Sequence, residues 1–227
     1  MKRFVLFLSA ACVSVFLATA QQREMSVEES YLQEEVQGSI IREQSRGISR
    51  ENKEDVLDLI RDSLKEGTKS DQMREALVYM SMEGILNQTR EGNRVLNNFP
   101  DIRRRSAEYL GQMATPEARD ALLNVIYYET EVMVLQEAVY SLAKIGLEDN
   151  GNTVRRISWI LRKYNDTNPD NLLALAAIEA YEKLGGFKDR EAVELLMNIA
   201  DNYKYTTSVR DAAKQAVRAA LRSQTKS

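Results

Sequence analysis

Three pairs of adjacent carboxylates, Glu28-Glu29, Glu34-Glu35 and Glu148-Asp149, are the residues of this chain best suited to chemistry. Two neighbouring acids can share the roles of general acid and general base, but only where a desolvated cleft pushes their pKa values apart. Each pair lies in a polar stretch, where the expected state is a solvated, ionised surface. The chain has no histidine, which removes imidazole acid–base chemistry, His-based triads and His-ligated metals together. Its single cysteine is Cys12, and no glycine-rich phosphate loop or nucleotide fingerprint is present. Asp166-Thr167-Asn168-Pro169-Asp170-Asn171 imitates a calcium loop, with oxygen ligands at its first, third and fifth positions. The sixth position holds Asn171 where the turn needs glycine, and the twelfth holds Ala177 where a bidentate glutamate belongs. Pro169 suits a helix start, so the segment reads as a capped turn between helices. No catalytic residue, metal site or cofactor is expected.

Recognition chemistry is better represented. Arg103-Arg104-Arg105, Arg155-Arg156 and Arg162-Lys163 are clusters of cations. Consecutive residues on a helix point to different faces, and nearby acids can neutralise each one. Alternatively, neighbouring helices can align some of them into a patch for an acidic protein segment or an anionic polymer. Trp159 shares a stretch with Arg155, Arg156 and Arg162, adding an aromatic to such a surface. The candidate partner-binding residues are therefore Arg103, Arg104, Arg105, Arg155, Arg156, Trp159 and Arg162. Tyr127-Tyr128 and Tyr203/Tyr205 can serve packing or contact equally.

The elements that position these residues begin after a leader. Lys2 and Arg3 precede an uncharged apolar run from Phe4 to Phe16, and Ala18-Thr19-Ala20 supplies small residues for cleavage after Ala20. That is the layout of a secretory signal peptide, residues 1–20, and the run is short for a membrane span. A retained membrane anchor, or lipoprotein processing at Cys12, are the alternatives. The expected location is the periplasm or the extracellular space, with no transmembrane span after cleavage. Residues 21–66 hold 12 acidic against 7 basic side chains, while residues 67–227 hold 22 of each. Residues 21–50 are thus expected to be an acidic segment, partly helical (about 26–44) or mobile, distinct from a helical body over 51–227. Gln44–Asn52 reads as a linker.

From about residue 70 the sequence repeats. Ala107, Val139, Ile178 and Ala213 align with offsets of 32, 39 and 35 residues. Three residues on stand Leu110, Leu142, Tyr181 and Ala216, and three further Met113, Ile145, Leu184 and Ala219. Small residues flank each stripe: Ser106, Ala138, Ala177 and Ala212 before it, and Ala114, Gly146, Gly185 and Ala220 at its end. A weaker copy, Ala76, Leu77, Met80 and Gly84, breaks at Glu83. A second apolar helix follows each of the next three stripes: Leu122, Leu123 and Ile126; Ile157, Ile160 and Leu161; Leu195, Leu196 and Ile199. Caps are readable at Thr115-Pro116, Asn168-Pro169, Asp189 and Ser208. The fold expected is all-α, an α-solenoid of antiparallel helical hairpins.

The segment from Asp101 to Ala118, with its Asp, Arg, Ala107, Leu110-Gly111, Met113-Ala114 and Pro116-Glu117-Ala118, resembles the HEAT repeat in its short bacterial form. The resemblance covers roughly residues 70–222. The family's Arg slot is filled by Arg74, Arg104 and Arg210, but holds Gln136 and Leu175 in the middle repeats. A tetratricopeptide array fits less well, lacking its Trp and Tyr placements. The resemblance implies a non-enzymatic scaffold or adaptor that binds envelope proteins, or copies of itself through the acidic segment. A carboxylate-dependent enzyme acting on envelope carbohydrate is the second class. A nucleic-acid-binding repeat protein is the third, opposed by the acidic charge balance, so no nucleic-acid partner is expected.

Overall fold

The structure is a computed structural model that describes residues 27–224. The leader, its cleavage after Ala20 and Cys12 lie outside the described residues. Ten α-helices account for most of those described: α1 Val27–Arg46, α2 Arg50–Lys65, α3 Asp71–Ser81, α4 Pro100–Met113, α5 Pro116–Tyr128, α6 Val132–Ile145, α7 Asn152–Thr167, α8 Asn171–Lys183, α9 Arg190–Asp201 and α10 Thr207–Gln224. The helices pack into two rows. One runs α1–α3–α4–α6–α8–α10, the other α5–α7–α9, and α2 rests on α1 and α4. This is an all-α solenoid of helical hairpins. The closest packing in either row is that of α6 against α4 and α8.

The repeated stripe is what the rows bury. Ala107, Leu110, Met113, Val139, Leu142, Ile178, Tyr181 and Leu184 all lie in the core. The small residues Ser106, Ala138 and Ala177 are fully buried between helices, which lets backbones approach where a larger side chain would hold them apart. The closest approach is at Gly111, where an added Cβ would sit 2.6 Å from Ser141 Oγ on the neighbouring helix. The stripe's end slot does what a small residue there permits: Ala114, Gly146 and Gly185 all take left-handed backbone, with φ of 56°, 66° and 73°. Only Ala114 carries a Cβ into that conformation, at a cost of about 1–2 kcal/mol. It is exposed, so nothing is lost in packing. Ala114→Gly is expected to raise the unfolding free energy by about 0.5–1 kcal/mol, after allowing for the freer unfolded chain; urea titration of the two proteins measures it. In the last copy the pattern fails. α10 continues past Ala220, which is buried, and Ala219 is exposed.

The capping residues set the helix starts. Thr115 Oγ1 accepts from Ala118 N at 3.2 Å, and Asp189 Oδ1 from Ala192 N at 2.9 Å. Two starts differ from the sequence reading. Asn168 still donates its N–H to Tyr164 O at the end of α7, so the cap of α8 is Asp170, whose Oδ1 accepts from Leu173 N at 2.8 Å. Ser208 lies inside the first turn of α10, which begins at Thr207. The stretch read as a linker is also shorter, because Ser49 caps α2 and leaves only residues 47–49 between helices.

α1 packs on α2 and α3 through Ile41, Ser45 and Gly38, the last against the Gln72 side chain. Between α3 and α4 the chain takes no second helix. Residues 82–99 form instead a compact insert with a short hairpin, β1 Arg90–Glu91 and β2 Arg94–Val95. Gly84 permits it: its φ is 72°, and a Cβ would stand 2.7 Å from Asn97 O. This insert is the break signalled by Glu83 in the repeat.

Candidate functional site

The three consecutive arginines have three fates. Arg103 does not belong to a binding surface. It is 2% exposed, its Nε donates to Glu129 Oε2 at 2.7 Å, and its Nη1 donates to Glu83 O and Asn98 Oδ1. Glu129 in turn accepts from the backbone N–H groups of Thr130 and Glu131. Beside this pair lies another, Lys53 Nζ with Glu83 Oε2 at 2.8 Å, both buried, and Asn97 Nδ2 donates to Glu83 Oε1. A buried charge is tolerated only when paired and hydrogen-bonded. Here the two pairs fasten the insert to α2, α4 and the end of α5. Arg105 turns toward Asp58 of α2. Arg104 alone faces outward on the first row, with Nη1 3.6 Å from Glu137 Oε2.

Arg104 stands at the edge of a cleft of about 560 Å³ across α4, α6 and α8, lined also by Met133, Glu137, Tyr140, Leu172 and Glu179. Met133, Tyr140, Leu172 and Leu175 expose apolar surface into it, and Lys144 Nζ sits 4.3 Å above the Tyr140 ring. Burial, then the neighbouring Glu108, push the Glu137 carboxyl above its ordinary range, against the opposing pull of Lys144 and Arg104. A carboxyl raised in the folded state favours that state below its ordinary pKa, and the advantage is lost as pH rises through the raised value. Glu137→Gln is therefore expected to gain melting temperature relative to the wild type on going from acid to neutral pH, with no gain in acid. Paired thermal melts across that range check it.

The second basic–aromatic cluster falls on the other row. Arg155 donates to Asn150 O, and Arg162 pairs with Glu191 at 2.9 Å, so both are committed. Arg156 and Trp159 are brought together with Tyr127 and Tyr128 from the end of α5. Tyr127 and Trp159 stack at 5.8 Å, and Tyr128 meets Tyr127 edge-on at 4.7 Å. Arg156 lies 4.9 Å over the Tyr127 ring, and Lys163 lies 5.8 Å over Trp159. Among the described residues neither cation has a carboxylate partner.

The PBS lyase HEAT-like repeat family matches residues 102–127, which span most of α4, the turn and most of α5. The α4–α5 hairpin is thus similar to one HEAT-like repeat. No curated protein matches it significantly. Among solved structures, a cryo-EM structure of a de novo designed 16-helix transmembrane nanopore aligns at 15% identity with a TM-score of 0.25. The alignment covers 85% of this chain and 62% of that one.

HEAT-like repeats generally mediate protein interaction. The repeat register accounts for part of the cleft's lining. Arg104, Gln136 and Leu175 occupy one slot in successive repeats, and all three line the cleft. The departures from arginine remove a charge at Gln136 and add apolar surface at Leu175, and they were the cleft's signal in the sequence. Met133, Tyr140 and Leu172 carried no comparable mark, since an apolar residue on a helix is ordinarily core. Among the described residues no three metal-capable side chains cluster, and no helix is long and apolar enough to cross a membrane.

Proposed function

We propose that this HEAT-like protein is a non-enzymatic scaffold or adaptor, exported to the periplasm or beyond, that takes a segment of a partner protein into the α4–α6–α8 cleft. The cleft carries the reading. Four exposed apolar side chains around a concavity are an unusual feature of a free surface and mark interaction sites. Glu137 and Glu179 on its walls favour a segment with apolar anchors and a lysine or arginine beside them. Such a segment fits as an amphipathic helix laid along the groove between helices. Export rests on the leader layout of residues 1–20.

The test places a photo-crosslinking residue at Leu172 in living cells. One adduct of defined mass is expected, recovered with the envelope fraction, and lost or cut at least about tenfold when Leu175→Asp is added. No adduct, or one indifferent to Leu175→Asp, overturns the reading of the cleft. Recovery of the protein in the cytoplasm with residues 1–20 intact overturns the export.

A further inference from the structure

We propose that the exposed face of α1 docks on the aromatic–basic patch of α5 and α7 in a second copy of the chain, so that copies join head to tail. This contact is separate from the α4–α6–α8 cleft. On α1, the face opposite Ile41 carries Leu32, Val36 and Ile40, which are 60%, 59% and 43% exposed and recur every four residues. Helical geometry places Glu28, Glu35 and Glu43 on that same side, all exposed, and among the described residues none has a cationic partner; Arg46, at the far end of that side, lies 5.9 Å over the Tyr79 ring. A helix face that combines aligned aliphatic side chains with unpaired carboxylates calls for a surface that is apolar and cationic.

The patch on the second row has both properties. Tyr127, Tyr128 and Trp159 are 51%, 45% and 42% exposed, and Arg156 and Lys163 stand over their rings, with no carboxylate partner among the described residues. Nearby basic residues are already committed, Arg162 to Glu191 and Arg119 to Asp120. Exposed Tyr, Trp and Arg are the side chains that dominate interface energies. The two surfaces cannot meet within one chain, because α1 is held against α2 and α3 while the patch lies on the other row. The α4–α6–α8 cleft is a poor seat for α1, since it presents Glu137 and Glu179 and its Arg104 is already beside Glu137. A contact between two different surfaces is heterologous, and it builds open chains or closed rings.

Sedimentation velocity tests this on the protein purified in the form that accumulates in the cell. The weight-average mass is expected to rise with concentration beyond that of a dimer, and to fall back as salt is added. Two variants each spoil one half: Leu32→Ser with Val36→Ser and Ile40→Ser, and Arg156→Glu with Lys163→Glu. Because most of these positions are exposed, unchanged melting temperatures serve as the control for folding. Each variant alone is expected to be monomeric. Their equimolar mixture is expected to form a 1:1 dimer and nothing larger, because each brings the half the other lacks. Trp159→Ala is expected to weaken association roughly thirtyfold. A wild-type protein that stays monomeric up to roughly millimolar concentration overturns the proposal. A mixture that stays monomeric, or variants that still assemble alone, overturns it equally.

Discussion

Arg103→Ala is expected to lower the unfolding free energy by about 3–5 kcal/mol, because removing one member of a buried ion pair leaves the other charged and unsolvated. For a folded region of this length that is a fall in Tm of roughly 10 °C or more. The guanidinium bridges three parts of the fold: the Glu129 carboxylate at the end of α5, the Glu83 carbonyl in the insert and the Asn98 side chain just before α4. Its loss strands Glu129 and frees the insert. Lys is not a substitute, since one ammonium cannot hold these acceptors with the geometry of a planar fork. Arg103→Lys is therefore expected to recover less than half of the loss. Replacing both Arg103 and Glu129 by leucine tests the assignment further. The stranded charge disappears, so the double variant is expected to be more stable than Arg103→Ala, although the N–H groups of Thr130 and Glu131 lose their acceptor. Arg104→Ala, a few ångströms away along the same helix, serves as the contrast. Its own side chain is 39% exposed and its contact with Glu137 is long, at 3.6 Å, and exposed pairs are worth about 0–1 kcal/mol. Chemical denaturation of the five proteins checks the whole ordering.

The contrast between Arg103 and Arg104 also shows where sequence reading stops. Three adjacent arginines look alike in a sequence. What separates them is the distant partner, Glu129, 26 residues on, and no local pattern announces that pairing. Glu83 poses the same problem. It reads as a polar interruption of an apolar stripe, yet it is the buried acid that pairs with Lys53. The stripes of α4, α6 and α8 were legible for the opposite reason. Helical periodicity and small flanking residues are local signals, and the packing that buries them follows directly. The aromatic–basic patch was half legible. Arg156 and Trp159 lie three residues apart, but Tyr127 and Tyr128 reach them only because α5 packs beside α7. Within α1, the spacing predicted a helix, and the structure adds that Leu32, Val36 and Ile40 face away from the body.

The closest helix contact in the first row gives the second large effect. Gly111→Ala is expected to cost about 1–3 kcal/mol, although alanine is the better helix former by about 1 kcal/mol. An added methyl group would lie 2.6 Å from Ser141 Oγ, 2.7 Å from its Cβ and 3.1 Å from its Cα. The side-chain clashes are not ones a rotamer change removes, because the Ser141 Cβ is fixed by its backbone. Relief requires α4 and α6 to separate, and separation loosens the core on either side, where Leu110 and Leu142 are fully buried. The Ser141→Gly background distinguishes this cause from any intrinsic effect of alanine. There the two nearest atoms are gone and only the 3.1 Å contact to Cα remains, so Gly111→Ala is expected to lose most of its cost. Interaction energies between touching residues run to about 0.5–3 kcal/mol, and a coupling in that range between the two positions is the expected result of the double-mutant cycle. Independent, additive effects would mean that the glycine is required by its own backbone and not by the neighbouring helix. The same contact bears on function. Arg104 and Glu137, which stand side by side in the lining of the cleft, ride on these two helices. Widening the α4–α6 spacing is therefore expected to weaken partner adducts at Leu172 even at temperatures where the variant remains folded, and Ser141→Gly is expected to restore both together.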